Sequence, residues 1–180
     1  MSQSSTSPKT ASPKKYSLWF RRRFHLSALL LILPMVAMPY YFDNRAMFLG
    51  DKGLGERDLG QHQVGPWQIQ LAERDTNPPW KDGVASHMKT FTLSLCEVCI
   101  PEVKAAYIRI GKPRNLRTAG AIAFGSPYRQ SISVPITETA KADADIWLTL
   151  EGWDGSVHQM SMPLADASPS AVTFIQRRND

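Results

Sequence analysis

The amino-acid sequence predicts a mainly β protein carried on one N-terminal transmembrane helix, and three observations lead there. An uncharged run of nineteen residues, Phe24 to Phe42, follows Arg21-Arg22-Arg23 directly. After it come about eight short apolar runs of strand length, separated by turn residues. The portion beyond the run is about 135 residues long, enough for one domain with its own core and too few for two ordinary ones.

As a helix rising about 1.5 Å per residue, residues 24–42 span roughly 28 Å, close to the thickness of a bilayer's hydrocarbon core. Pro34 and Pro39 lie inside the run. They would break a helix in water but are tolerated in a membrane helix, where Pro34 gives a kink. Tyr40, Tyr41 and Phe42 fall where an interfacial aromatic belt belongs. Neither Ala37 nor Ala46 closes a small-x-small processing site, so the run reads as an uncleaved signal-anchor. Residues 1–23 contain six Lys and Arg and no acid. By the positive-inside rule they form a disordered basic cytoplasmic tail, which puts the C-terminal domain in the periplasm of a bacterial inner membrane.

That tail explains the net charge of +5. Six of the 21 Lys and Arg lie in it, leaving 15 against 16 Asp and Glu for everything beyond residue 23. The basicity is therefore a topology signal, with the lipid bilayer as the expected contact and no nucleic acid as a partner. The single Ser12-Pro13-Lys14-Lys15 is similar to an element of DNA-binding tails, but it sits on a tethered tail of Ser, Thr, Pro and Lys.

Residues 43–63, with Gly50, Gly53, Gly55 and Gly60 among charged residues, read as a linker, and 64–180 as the β domain. Trp67 to Leu71 alternates apolar and polar residues, a half-buried strand. Asp75 to Gly83 is a loop by its turn chemistry. Further strands are expected at Thr90–Leu95, Ala105–Ile110, Ala121–Phe124, Ser131–Ile136, Asp145–Glu151, Val157–Met162 and Val172–Gln176, with one helical turn after Pro101. Short antiparallel strands at this spacing favour a β-sandwich of Ig-like or cupredoxin-like kind. In the last hairpin, a three-residue loop Trp153-Asp154-Gly155 with Gly155 left-handed pairs Leu150 with His158, Leu148 with Met160 and Ile146 with Met162. A two-residue loop would set those apolar residues opposite polar ones, so the three-residue register is expected.

Two groups carry potential chemistry. Cys96 and Cys99 would lie outside the membrane, facing an oxidising compartment. In an extended strand they are about 10 Å apart, too far to bridge, so a disulfide requires the chain to turn at Glu97-Val98. The pair reads as a structural disulfide, a redox-active pair, two soft-metal ligands or free thiols. A thioredoxin needs its Cys-x-x-Cys at a helix start in a parallel βαβ frame, which the β pattern opposes. The second group is His158, Met160 and Met162, which share one strand face about 6 to 7 Å apart; imidazole with thioethers suits copper. His87-Met88 adds another pair. The competing reading makes Met160 and Met162 core, opposite Leu148 and Ile146. Trp80 and Trp153, in expected loops, are candidate partner-binding aromatics.

His158-x-Met160 and His87-Met88 resemble pieces of the motif of periplasmic copper chaperones, though no Met lies between Met88 and Met160. The layout of basic tail, single span and external β domain is similar to copper-delivery proteins of the CtaG family and to FixH-like proteins. The Cys-x-Cys copper site of the CtaG family is absent, so the similarity is one of architecture. No Gly-x-Ser-x-Gly, His-Glu-x-x-His or phosphate-binding glycine loop occurs. The acids Asp143, Asp145, Glu151 and Asp154 straddle a strand and its turn and read as solvated edge charges.

The expected role is non-enzymatic: an accessory or assembly factor in metal (copper or iron) or redox handling beside a membrane-protein partner. The alternatives are a structural subunit of a membrane transporter or reductase complex and a periplasmic thiol-disulfide protein. No cofactor is certain; copper is the candidate.

Overall fold

The computed structural model describes residues 18–49, 53–83 and 86–179, and within the first of these the side chains of 22–23, 25 and 27–42. The chain divides into two compact units, Met1–Asp43 and Asn44–Asp180. The Ser12-Pro13-Lys14-Lys15 element and most of the expected tail lie outside the described residues.

The described part of the first unit is helical. Helix α1 (Leu18–Leu49) starts inside the expected tail, runs through the uncharged stretch with Pro34 and Pro39 within it, and continues into the expected linker. Its described apolar side chains are exposed, among them Leu30, Met35 and Tyr40. Among the described residues no helix is long and apolar enough to cross a membrane. The expected transmembrane element is found as a helix. It is longer than residues 24–42 because the backbone stays helical through the flanking charges, Arg22 and Arg23 before the run and Asp43 and Arg45 after it.

The second unit is mainly β, and all its strand pairs are antiparallel. The first sheet contains β1 (Arg57–Val64), β2 (Trp67–Glu73), β4 (Ser86–Leu95), β8 (Arg129–Ile136) and β7 (Phe124–Ser126) in the order β1-β2-β4-β8-β7, with β3 (Trp80–Asp82) also paired to β4. The second has the order β10-β9-β5-β6, from β10 (Val157–Pro163), β9 (Asp145–Gly152), β5 (Val103–Ile110) and β6 (Ala121–Ile122). Alternate residues supply the core between them. Ile69, Leu71, Phe91, Leu93, Ile132 and Val134 come from the first sheet, and Ala106, Ile108, Leu148 and Leu150 from the second. The period of two that betrays the strands in the sequence is the period that fills this core.

Four expectations need correcting. The linker reading fails over its last residues, 57–63, which with Val64 form edge strand β1; Gly60 (φ +87°) sits at an irregularity in its pairing with β2. A glycine serving a bulge looks the same in a sequence as a glycine in a tether. Asp75–Gly83 contains the short strand β3. The helical turn expected after Pro101 lies before it, a 3-10 turn at Glu97–Cys99. Val172–Gln176 is not a strand: it lies in α3 (Pro169–Asn179), which follows the short α2 (Leu164–Ala167). Leu164, Ala167, Ala171 and Ile175, spaced by three and four, are fully buried, so helical period overrides the alternation of Val172, Phe174 and Gln176.

Helices α2 and α3 are tied to the sheets by a buried ion pair. Lys89 Nζ lies 3.0 Å from Glu73 Oε1 and donates to the carbonyls of Asp75 and Asn77, both at 2.6 Å. Glu73 Oε1 also accepts from the hydroxyls of Ser168 (2.5 Å) and Ser170 (3.3 Å), at the junction of the two helices. Both charged side chains are sealed from solvent, and each is met by several partners, as burial of charge requires.

Candidate cleft at the disulfide end

At the other end of the sandwich, three connections meet. The β1–β2 turn contributes Pro66 and Trp67, the segment after the cysteines contributes Pro101 and Glu102, and the β9–β10 hairpin contributes Trp153, Asp154, Ser156 and His158; together they line a cleft of about 480 Å³.

The cysteine segment builds one wall. The chain turns at Glu97-Val98 as a bridge requires: Cys99 N donates to Cys96 O at 2.9 Å, the Cα atoms are 5.1 Å apart, and Cys96 and Cys99 form a disulfide. Cys99 is buried in the core cluster. Glu102 N then donates to Cys99 O at 3.0 Å, and Trp153 N to Glu102 O at 3.0 Å, so the stapled turn positions both Glu102 and the hairpin. The Trp67 indole N–H donates to Glu102 Oε2 at 2.8 Å.

The hairpin builds the facing wall, in the expected register. Leu150 pairs with His158, Leu148 with Met160 and Ile146 with Met162, and Gly155 is left-handed at φ +82°. Trp153 at its tip is 68% exposed, with the Lys104 ammonium 6.0 Å from its ring centroid. Asp154 Oδ1 accepts from the hydroxyl of Ser156 at 2.6 Å and from its N–H at 2.9 Å. These bonds, with a smaller contribution from the charge of His158, hold the Asp154 carboxyl below its ordinary pKa. The His158 ring meets Trp67 edge-on, centroids 5.1 Å apart. Gly65 in the β1–β2 turn lies so close to that ring that any Cβ there would strike it.

Behind Trp153, Glu151 accepts from Lys104 Nζ (2.7 Å) and the Tyr107 hydroxyl (3.1 Å). The Lys104 bond holds the Glu151 carboxyl below its ordinary range, and the same bond raises Lys104. Tyr107 is raised, first by burial and then by its bond to Glu151.

The expected metal-ligand residues fall into two groups. His158, Met160 and Met162 share a face as expected, but the two thioethers are half-buried against the core and the imidazole packs on Trp67. The His87 ring lies tilted against that of Phe174 in α3, centroids 4.6 Å apart, and Met88 pairs with Trp80 across β3 and β4. Leu95 pairs with Ile69, next to the Trp67 end, while His87 is eight residues back along β4. At about 3.3 Å per residue those eight residues put His87 roughly 26 Å along β4 from Leu95. Among the described residues no group of three or more His, Cys, Asp and Glu could hold a metal ion. Trp80 is half exposed on β3, away from the cleft.

Trp67 and Glu102 are cleft residues that sequence reading does not single out, and Asp154 is read there only as a turn residue and an edge charge. Trp67 shows there only as an apolar strand residue, and its bond to Glu102 joins positions 35 apart in the chain. The only local hint is the acid that follows the Cys-x-x-Cys within a turn.

No curated protein and no solved structure matches the chain. A family model described as uncharacterised conserved protein UCP029505 matches residues 18–165, from the start of α1 through β10 into α2. The match takes in most of the chain, and the protein belongs to that family.

Proposed function

We propose that this chain is a single-pass membrane protein with a cytoplasmic N-terminus and a periplasmic β domain. In this reading it works as a non-catalytic accessory subunit of a larger membrane assembly and engages a partner at the disulfide end of the sandwich. The observation that carries the reading is the surface of α1. From Leu29 to Phe42 large apolar side chains are exposed, including Leu30 at 78%, Met35 at 74% and Val36 at 73%. At 100° per residue these positions point in different directions around the axis, so no single neighbouring face could cover them, whereas lipid could. The basic flank before the run supports a cytoplasmic N-terminus.

The β domain supports an accessory role. Its cleft is rigidly built and carries an exposed tryptophan, the kind of residue that dominates partner contacts. The cysteines are joined and one of them is buried, which favours a structural staple over thiol exchange. Metal handling is left out of the proposal, because Met160 and Met162 pack against the core, His158 packs on Trp67, and His87-Met88 lies apart from them.

Membrane fractionation of the full chain tests the anchor. It should stay in the pellet after alkaline carbonate, and Leu33→Arg, placing a charge near the centre of the run at a cost of about 3 kcal/mol, should release or destabilise it. A wild-type chain that washes off would overturn the anchor. Alkaline phosphatase fused after residue 180 should be active, and an inactive fusion would overturn the orientation.

A further inference from the structure

The near-neutral charge of the β domain hides an uneven distribution. From Val103 to Thr137 the sequence has six cations, Lys104, Arg109, Lys112, Arg114, Arg117 and Arg129, and no Asp or Glu. Lys104 is paired with Glu151. Lys112, Arg114 and Arg117 are exposed, in and beside a 3-10 turn at Leu116–Thr118.

That turn leads into the strand that changes sheet. Ala121–Ile122 pairs with β5, Ala123 N donates to Ala106 O at 2.8 Å, and Phe124–Ser126 pairs with β8. Along this segment Ala121 and Ala123 pack against the core, and Ile122 and Phe124 are 55% and 63% exposed. The Arg109 and Arg117 side of the same edge opens on a groove of about 480 Å³ whose apolar lining includes Ile108, Ile110, Ala121 and Val134.

We propose that this β6–β7 edge docks on an anionic lipid surface, with Ile122 and Phe124 entering the interface and Arg114 and Arg117 meeting the phosphate headgroups. An edge that carries both exposed apolar side chains and guanidinium groups matches the layering of a bilayer surface, in which the charge lies outside the hydrocarbon. A stretch without acids avoids repulsion from that surface. The proposal rests on the anchor reading, which keeps a bilayer within reach of the domain.

The test uses the full chain in nanodiscs of phosphatidylcholine, with or without phosphatidylglycerol, and reads deuterium uptake across residues 114–128. Uptake should slow in the anionic discs at about 0.1 M salt and return to the neutral-disc value when the salt is raised several-fold. Arg114→Glu with Arg117→Glu should weaken docking by roughly thirtyfold or more, from about 1 kcal/mol for each cation at an anionic surface. Unchanged uptake across Phe91–Leu95 would verify that this variant is folded. Equal uptake in both discs, or protection retained by the folded double variant, overturns the proposal. If the chain does not co-elute with discs, the anchor reading fails by itself. Docking is then read from flotation of the full chain with anionic or neutral vesicles, where equal recovery overturns it.

Discussion

Replacing Lys89 by Met keeps most of the side chain's volume while removing its charge, so the cost measures the buried ion pair. The ammonium has three donors and meets three acceptors within 3.0 Å: Glu73 Oε1 and the carbonyls of Asp75 and Asn77. With the methionine, Glu73 becomes a buried carboxylate supported only by two hydroxyls, those of Ser168 and Ser170. Breaking one half of such a pair costs about 3–5 kcal/mol, which should lower the melting temperature by on the order of 10–20 °C. Adding Glu73→Gln removes the stranded charge. The double variant should then lie only about 1–2 kcal/mol below wild type, reflecting the two carbonyls left without their cation. Urea unfolding followed by tryptophan fluorescence gives the energies, and hydrogen exchange shows whether Leu164 to Asn179 loosens first. A single variant costing less than about 1 kcal/mol, or a double variant no better than the single, would refute the view that this pair binds the C-terminal helices to the sheets.

Other outcomes follow from the cleft. Cys96→Ser with Cys99→Ser opens a loop of four residues, for which chain entropy predicts a loss of about 2 kcal/mol; a folded protein with unaltered stability would count against a structural staple. Gly65→Ala should destabilise the domain and displace the His158 ring from Trp67, seen as a shift in the histidine ring resonances; unchanged resonances would count against the close approach. For the Glu151–Lys104 pair the sign differs at the two ends of the pH scale. The lowered Glu151 contributes stability that is present above the ordinary glutamate pKa and lost as pH falls through its folded value. The raised Lys104 contributes stability that is present below the ordinary lysine pKa and lost as pH rises through its folded value. Glu151→Gln should flatten both limbs of a stability-against-pH curve, and unchanged limbs would show that other groups set them.

What could be read without coordinates depended on how local the signal was. The register of β9 with β10 is legible to the residue, because Leu150, Leu148 and Ile146 meet His158, Met160 and Met162 only when Gly155 takes the left-handed place in a three-residue loop. The run Val172–Gln176 reads as a strand because five residues hold too little period to separate strand from helix. Leu164, Ala167, Ala171 and Ile175 resolve it only over a longer window. Edge strand β1 was missed since its residues alternate without a strong apolar set, and its glycines resembled a tether. Splitting Ala121–Phe124 between two sheets was equally invisible, because a strand that changes partner keeps its alternation.

By itself the sequence determined the uncharged run of Phe24–Phe42, the balance of charge beyond it, most of the strands, and the need for Cys96 and Cys99 to be turned toward each other. Each depends on residues close together in the chain. Only the tertiary structure decided that the cysteines, Trp153 and His158 gather with Trp67 and Glu102 at one end, while His87, Met88 and Trp80 lie toward the other. It also decided that an acid-free stretch becomes an exposed edge. Those outcomes depend on which strands pair and on which end each connection falls, and pairing between segments distant in sequence leaves no periodic trace in either one.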